Sequence, residues 1–188
     1  MNVSKTPLPG VLLIEPRVFS DARGFFLETW QQTRYREAGL PLQFVQDNLS
    51  SSSHGTLRGL HFQYPRAQGK LIYVVHGTIF DVAVDIRVGS PTFGQSYDVE
   101  LSSANNRQLY IPEGFAHGFC VVSEQAIVMY KCTDFYVPTD EGGVLWSDPD
   151  LAIPWPVRAP TLSDKDQRYP LLRDIPVDRL PRYVKGRN

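Results

Sequence analysis

The chain has 188 residues, 42% of them hydrophobic and 21% charged, with a formal net charge of -1 at pH 7. That size and balance suit one soluble globular domain with a buried core, expected over 1–188, with a core near 10–168 and a C-terminal tail near 169–188. The near-neutral charge excludes a general binder of nucleic acid or anionic membrane, although it leaves room for a local basic site for one anionic ligand.

The opening text, MNVSKTPLPG, has neither the charged start nor the apolar stretch of a signal peptide. No run is long and apolar enough to cross a bilayer. A cytoplasmic protein is expected. Next, GVLLIEPRVFSDARGFFLETW (10–30) reads as short strands broken by Pro16 and by a turn at DARG. Thr29 and Gln32 have the spacing of a capping box, which predicts a helix over 30–38 ended by Gly39-Leu40-Pro41.

From Leu57 the text becomes β. KLIYVVHG, TIFDVAVDIRVG, QSYDVELS, RQLYIPEG, FAHGFCVVS and QAIVMYKCTDFY are short apolar-rich runs parted by Gly, Asn, Ser and Pro. Such spacing predicts a mainly β barrel or sandwich with few short helices. In IFDVAVDI, Phe80, Val82, Val84 and Ile86 share one face, and Asp81, Ala83 and Asp85 share the other. The first face is core; the carboxylates face solvent unless other polar groups converge on them. Cys120 and Cys132 lie in apolar text outside any CxxC pattern and are expected to be free thiols. Beyond Tyr136 the chain is loop-rich, with Pro138, Pro149, Pro154, Pro156 and Pro160, a short helix is expected from Ser163, and the end is expected to be weakly ordered.

GTLRGLHFQ (55–63) poses the chemical question. Metal-binding cupin barrels carry Gly, five residues, His-x-His, a Glu and a later Gly, then a second motif with Pro-x-Gly-x-x-His. This chain resembles both in outline, through Gly55, His61 and Gly77, then Pro112, Gly114 and His117. The second His is replaced by Gln63, however, and Lys70 is the nearest candidate for the Glu. A protonated amine donates no lone pair and repels a cation, and two imidazoles without a carboxylate hold a divalent metal poorly. No metal is expected. His61 is then either a structural histidine or part of a ligand site, and the crowding of Arg58, Gln63 and Lys70 in strand text favours the ligand site.

RGLHFQ, AQGKL, GTIFDVAVDIRVGSPTFG, IPEGFAHGF, YKCTDFY, EGGVLWSDPDLAIPWP and LSDKD follow one another in that order. In this the chain resembles the deoxythymidine-diphosphate-4-dehydrorhamnose 3,5-epimerases, from FSDARGFFLETW through LSDKD. The resemblance implies a cupin-type double-stranded β-helix (jelly-roll) barrel without metal or other cofactor. It further implies a dTDP-4-keto-6-deoxy sugar as substrate and a homodimer with exchanged N-terminal strands. Position by position, His61 matches the general base, Asp166 its paired carboxylate and Tyr130 the general acid. Lys70 matches the lysine near the ketone oxygen and Asp81 the acidic residue beside it. Arg23, Glu28, Gln46, Asp47, Asn48, Arg58, His117, Glu141 and Lys165 match nucleotide-sugar contacts, and Tyr136 the aromatic that stacks on thymine.

Those assignments make chemical sense. A proton α to a ketone is acidified because its loss gives an enolate, and neutral imidazole is a suitable base near pH 7. A carboxylate on the other ring nitrogen fixes the tautomer, and a lysine stabilises the oxyanion as it develops. Tyr130 suits a proton donor most if nearby cations lower its pKa. Plainer roles compete: Asp166 as a helix cap three residues after Ser163, Tyr130 as a core tyrosine, His117 closing a turn, and Arg23 and Arg58 as surface charges. Rival functions are a single-carbon epimerase, a sugar-nucleotide-binding cupin without turnover, and a metal-dependent cupin oxygenase, the last weakened by Lys70.

Overall fold

Alternating apolar and polar residues build strands with two distinct faces. The computed structural model describes residues 1–40 and 43–185. In chain order the strands are β1 (Asn2–Lys5), β2 (Leu12–Glu15), β3 (Val18–Asp21), β4 (Gly24–Leu27), β5 (Gln46–Ser53), β6 (Leu57–Gln63) and β7 (Lys70–His76). They continue with β8 (Thr78–Asp85), β9 (Ser96–Ser102), β10 (Gln108–Ile111), β11 (Phe115–Val121), β12 (Gln125–Cys132) and β13 (Glu141–Gly143). Among the described residues, one sheet runs β1-β2-β10-β7-β12-β5 and a second runs β13-β6-β11-β8-β9, with β3 and β4 forming a separate hairpin. The mainly β, cupin-type barrel expected from the sequence is this pair of facing antiparallel sheets.

The core between the sheets takes Ile72, Val74, Leu109 and Val128 from one and Ile79, Ala83, Leu101, Phe115 and Phe119 from the other. A second cluster covers the outer face of the β6–β11–β8 wall. There Leu60, Val82, Val84 and Ile86 meet Val144, Leu151, Leu172, Ile175 and Leu180 from the C-terminal segment. That segment folds as short 3-10 turns at Asp166–Arg168, Leu172–Asp174 and Val177–Arg179. Through Tyr183, whose N–H donates to the Val88 carbonyl at 3.0 Å, it is a packed part of the barrel; residues 186–188, within the end expected to be weakly ordered, lie outside the described residues.

Because both faces of β8 are covered, the solvent reading of its carboxylates is overturned: Asp81 and Asp85 are each 0% exposed. Asp85 accepts hydrogen bonds from Arg87 Nε (2.9 Å) and Nη2 (2.7 Å), Ser90 Oγ (2.6 Å) and Thr92 Oγ1 (2.6 Å). The Arg87 guanidinium lies over the rings of Phe115 and Tyr183, at 4.2 and 5.2 Å from their centroids. This cluster ties the chain end to the barrel, where Val88 pairs in parallel with Arg182.

The helix α1 spans Gln32–Glu37, and its cap differs from the expected box. Gln31, not Thr29, accepts from Arg34 N at 2.7 Å, while the Thr29 carbonyl accepts from Tyr35 and Gln108. Pro41, read as part of the stop, lies outside the described residues; the turn is made at Gly39, whose φ is +93°. Cys120 and Cys132 are buried free thiols, on β11 and β12 in different sheets, so they are not neighbours across a ladder. Trp155 packs edge-on against Phe80 and donates from Nε1 to the Trp146 carbonyl at 2.7 Å, the packing role expected of that pair.

Burial pushes the Asp85 carboxyl up, and the bonds from Arg87, Ser90 and Thr92 outweigh it, holding the group below the ordinary carboxylate value. A depressed folded pKa stabilises the protein above the unfolded value and ceases to do so as pH falls through the folded one. Asp85→Ala strands a buried guanidinium and should cost about 3–5 kcal/mol at neutral pH. Urea denaturation between pH 7 and about pH 3 checks this, with the gap between variant and wild type narrowing on acidification.

Candidate active site

A cavity of about 190 Å³ opens between the two sheets. It gathers seven of the residues singled out from the sequence: Gln46, Asn48, His61, Lys70, Tyr130, Tyr136 and Glu141. Phe62, Gln63 and Gln68 complete the lining.

His61 and Tyr130 reach it from opposite walls, His61 on β6 and Tyr130 on β12 of the facing sheet. A bulge prepares the β6 wall. Between His117 and Phe119 of β11 the partners on β6 run from His61 to Arg58, so β6 holds one extra residue. Residues three apart on a regular strand face opposite ways. The extra residue brings Arg58 to the side of His61, where its charge acts on Tyr130 and its Nε donates to Ser52 Oγ at 3.0 Å. Gly59 makes the bulge possible: its φ is +134°, and a Cβ there would lie 2.5 Å from Gly118 Cα.

His61 Nε2 is 2.7 Å from Asp166 Oδ1, and Asp166 is 3% exposed. An ionised carboxylate accepts only, so Nε2 donates, and in the neutral ring Nδ1 is the nitrogen that carries the lone pair. Burial pushes the Asp166 carboxyl up, but the His61 bond and charge, helped by Gly59 N and Ser163, hold it below its ordinary value. The cap expected at Ser163 is half formed, Ser163 Oγ accepting from Asp166 N at 3.1 Å, while the Asp166 carboxylate itself turns to His61 and Gly59 N. Tyr169, missed in the sequence, stands edge-on to the imidazole at 5.8 Å between centroids, in space left by the absent side chain of Gly143.

Burial pushes the Lys70 ammonium down from the ordinary lysine value, against the negative charges of Asp81 and Glu141. Burial likewise pushes the Tyr130 hydroxyl up, and the Arg58 charge opposes this without reversing it. The condition that would suit Tyr130 best as a donor, a pKa lowered by cations, is therefore not met, and burial favours the protonated phenol. At the rim, Glu141 bridges Tyr136 (Oη to Oε2, 2.9 Å) and Lys165 (Nζ to Oε1, 2.7 Å). The Tyr136 N–H donates to Gln46 Oε1 at 2.9 Å.

The remaining predicted residues stand apart from the lining. His117 closes no turn; it lies within β11, opposite His61, with Nε2 2.8 Å from Asp81 Oδ1, both side chains buried. Asp81 Oδ2 is buried without a hydrogen-bond partner among the described residues, and the charge of this group reaches Lys70. Asp47 points away from Gln46 and Asn48, as alternation on β5 requires, and pairs with Lys131 at 3.0 Å. Arg23 sits on the β3–β4 hairpin paired with Asp21 at 2.6 Å, and Glu28 pairs with Arg34 at 2.9 Å. Both motif histidines thus have Nε2 engaged by a carboxylate. Among the described residues no group of three or more His, Cys, Asp or Glu converges as metal ligands do.

Residues 5–174 match the model of the dTDP-4-dehydrorhamnose 3,5-epimerase family. A dTDP-4-dehydrorhamnose 3,5-epimerase of Shigella flexneri is 58% identical over 168 residues, covering 88% of this chain and 93% of that protein. A dTDP-6-deoxy-D-glucose-3,5-epimerase of Legionella pneumophila, crystallised in complex with dTDP-4-keto-L-rhamnose, superposes with a TM-score of 0.95 at 51% identity. It covers 97% of this chain and 98% of that one. A 3'-monoepimerase of Streptomyces bikiniensis, in complex with dTDP-quinovose, superposes with a TM-score of 0.87 at 36% identity, covering 95% and 93%.

The His61–Asp166 geometry predicts one imidazole tautomer. Nitrogen-15 shifts above neutral pH should report His61 protonated at Nε2 and bare at Nδ1, and Asp166→Ala should yield a tautomer mixture. An unchanged spectrum in the variant would contradict the orienting role of the carboxylate.

Proposed function

This chain belongs to the dTDP-4-dehydrorhamnose 3,5-epimerase family, and on that footing we propose how its cavity works. The enzyme is an isomerase that converts dTDP-4-dehydro-6-deoxy-D-glucose to dTDP-4-dehydro-L-rhamnose, a step of dTDP-L-rhamnose biosynthesis. The observation that carries the residue roles is the 2.7 Å His61–Asp166 bond on one wall of a cavity whose facing wall presents Tyr130.

His61 Nδ1 removes the proton at C3 or C5, each α to the C4 ketone, and the C–H electrons pass into an enolate whose charge rests on the C4 oxygen. Asp166 stabilises the imidazolium that forms. Lys70, half-buried in the cavity lining and without an ion pair among the described residues, stabilises the oxyanion, an interaction stronger in the transition state than in the ground state. Tyr130 returns a proton to the same carbon from the other side, so the configuration inverts with no change in composition. Burial keeps the proton on Tyr130 until the carbanion is there to take it. The reaction as written needs no metal or redox cofactor. A binder without turnover has no use for this base and acid on facing walls.

The nucleotide lies at the rim, with Tyr136 stacking on thymine and Gln46, Asn48, Arg58, Glu141 and Lys165 as contacts; guanidinium and ammonium groups suit a diphosphate. Arg23 and Glu28 are outside the cavity of their own chain. The hairpin that carries Arg23 exposes Phe19, Phe25 and Phe26 by 50, 59 and 70%, an apolar surface a second copy would cover. We read the assembly as a homodimer with exchanged N-terminal strands, in which the hairpin serves the partner's site. Residues 1–188 form one catalytic domain, since the C-terminal segment supplies Lys165 and Asp166. Two free cysteines suit the reducing cytoplasm, and among the described residues no helix is long and apolar enough to cross a membrane.

Incubation with dTDP-4-keto-6-deoxyglucose in heavy water should place deuterium at both C3 and C5, read by proton NMR. Deuterium at one carbon supports a single-carbon epimerase, the activity named for the 3'-monoepimerase that shares this fold; none at either carbon rejects the reading. His61→Asn should slow exchange by about a hundred- to ten-thousand-fold. Phe25→Asp with Phe26→Asp should convert dimer to monomer in sedimentation and raise KM; a stable dimer would contradict the hairpin's role.

A further inference from the structure

Gln63 occupies the slot where a metal-binding cupin carries its second histidine, and it lines the cavity at 6% exposure. Its polar atoms nevertheless turn toward the chain. Nε2 donates to the carbonyls of Arg66 and Phe135, the latter at 3.1 Å, and Oε1 accepts from Val137 N at 2.8 Å. An amide group has two N–H donors, so both are used, and only this orientation sets donors against carbonyls and the acceptor against an N–H.

The consequence falls on the residue between. Phe135 and Val137 flank Tyr136, and Gln63 grips the backbone on both sides of it. Two other glutamines hold the same loop: Gln68 Nε2 donates to the Asp134 carbonyl at 2.7 Å, and Gln46 accepts from Tyr136 N. Phe135 and Tyr136 are 56 and 49% exposed, so side-chain burial does little to fix the loop. Such a loop depends on hydrogen bonds, here those to its backbone together with the rim bond from Tyr136 Oη to Glu141. We propose that Gln63 is a positioning residue for nucleotide recognition, which sets Tyr136 at the cavity mouth by pinning the Phe135–Val137 backbone. This rests on the reading of Tyr136 as the thymine-stacking residue. The slot that holds a metal ligand in other cupins has here become a loop anchor, and the stacking surface is preordered before substrate arrives.

The full-length protein tests this, with dTDP as the calorimetric probe. Gln63→Leu should weaken dTDP binding about tenfold. KM for dTDP-4-keto-6-deoxyglucose should rise to match, with the loss falling on KM and not on kcat, because His61, Asp166, Lys70 and Tyr130 make no bond to Gln63. In a Tyr136→Ala background the same substitution should add less than about twofold, since the residue it positions is gone. Full additivity, or wild-type dTDP binding by Gln63→Leu beside a weakened Tyr136→Ala, overturns the positioning role alone. Wild-type binding by Tyr136→Ala overturns the stacking reading instead. If Gln63→Leu lowers the melting temperature markedly, Gln63→Glu makes the same comparison. It keeps the side-chain length and the Val137 bond but cannot donate to two carbonyls, and it too should raise KM without lowering kcat.

Discussion

The hydrogen bond between His61 and Asp166 joins residues 105 positions apart, and much of the architecture exists to let it form. Asp166 belongs to a segment with no regular strand or α-helix of its own among the described residues. Apolar burial holds that segment in place, through Leu172, Ile175 and Leu180 against the outer face of the β6–β11–β8 wall. Backbone bonds from Thr161 to Gly55 and from Leu57 to Thr161 fix its start beside β6 (2.9 and 3.0 Å). Asp148 receives Leu172 N at 2.7 Å, and the Asp85–Arg87 cluster holds the end. A catalytic carboxylate borne on a loop needs such support, because its geometry tolerates little slack.

Charge inside the barrel follows one pattern: each buried carboxylate has an ionic partner or, as with Asp148, takes backbone N–H bonds, here from Asp150 and Leu172. Asp81 has His117, Asp85 has Arg87, Asp166 has His61, and half-buried Glu141 has Lys165. Lys70 departs from it. Its ammonium feels the carboxylates around it but bonds to none among the described residues, and burial lowers its pKa. An unsatisfied cation in a cavity is costly at rest. A substrate oxyanion would relieve that cost, so the departure suits a group whose partner forms only during reaction.

Much of this was legible in the text. The runs from Lys70 to Tyr136 became strands near their expected bounds because alternation and turn residues agree there. His61, Lys70, Tyr130 and Glu141 did converge. β5 was not read as a strand, since QDNLSSSS lacks the apolar alternation that marks one; it is a polar edge strand paired only with β12, and it carries Gln46 and Asn48 into the cavity. The bulge at Gly59 was equally hidden, because an extra residue in a ladder is defined by the partner strand. Tyr169 carried no motif, and its role depends on a gap at Gly143 far away in sequence.

Residue order alone was enough for the β class, the family resemblance and the loss of the metal ligand set, because each depends on local spacing or on which side chain occupies a slot. Which groups share a wall, which carboxylates are dry and which ring nitrogen is free were decided only by the tertiary structure. Those properties arise where distant strands meet. The buried face of Asp81 and Asp85 comes from sheet closure, and the His61 tautomer comes from a carboxylate delivered by the packed C-terminal segment. Gln63 shows the division within one residue: its identity took an imidazole out of the slot, while its three bonds to the chain show what the slot now holds.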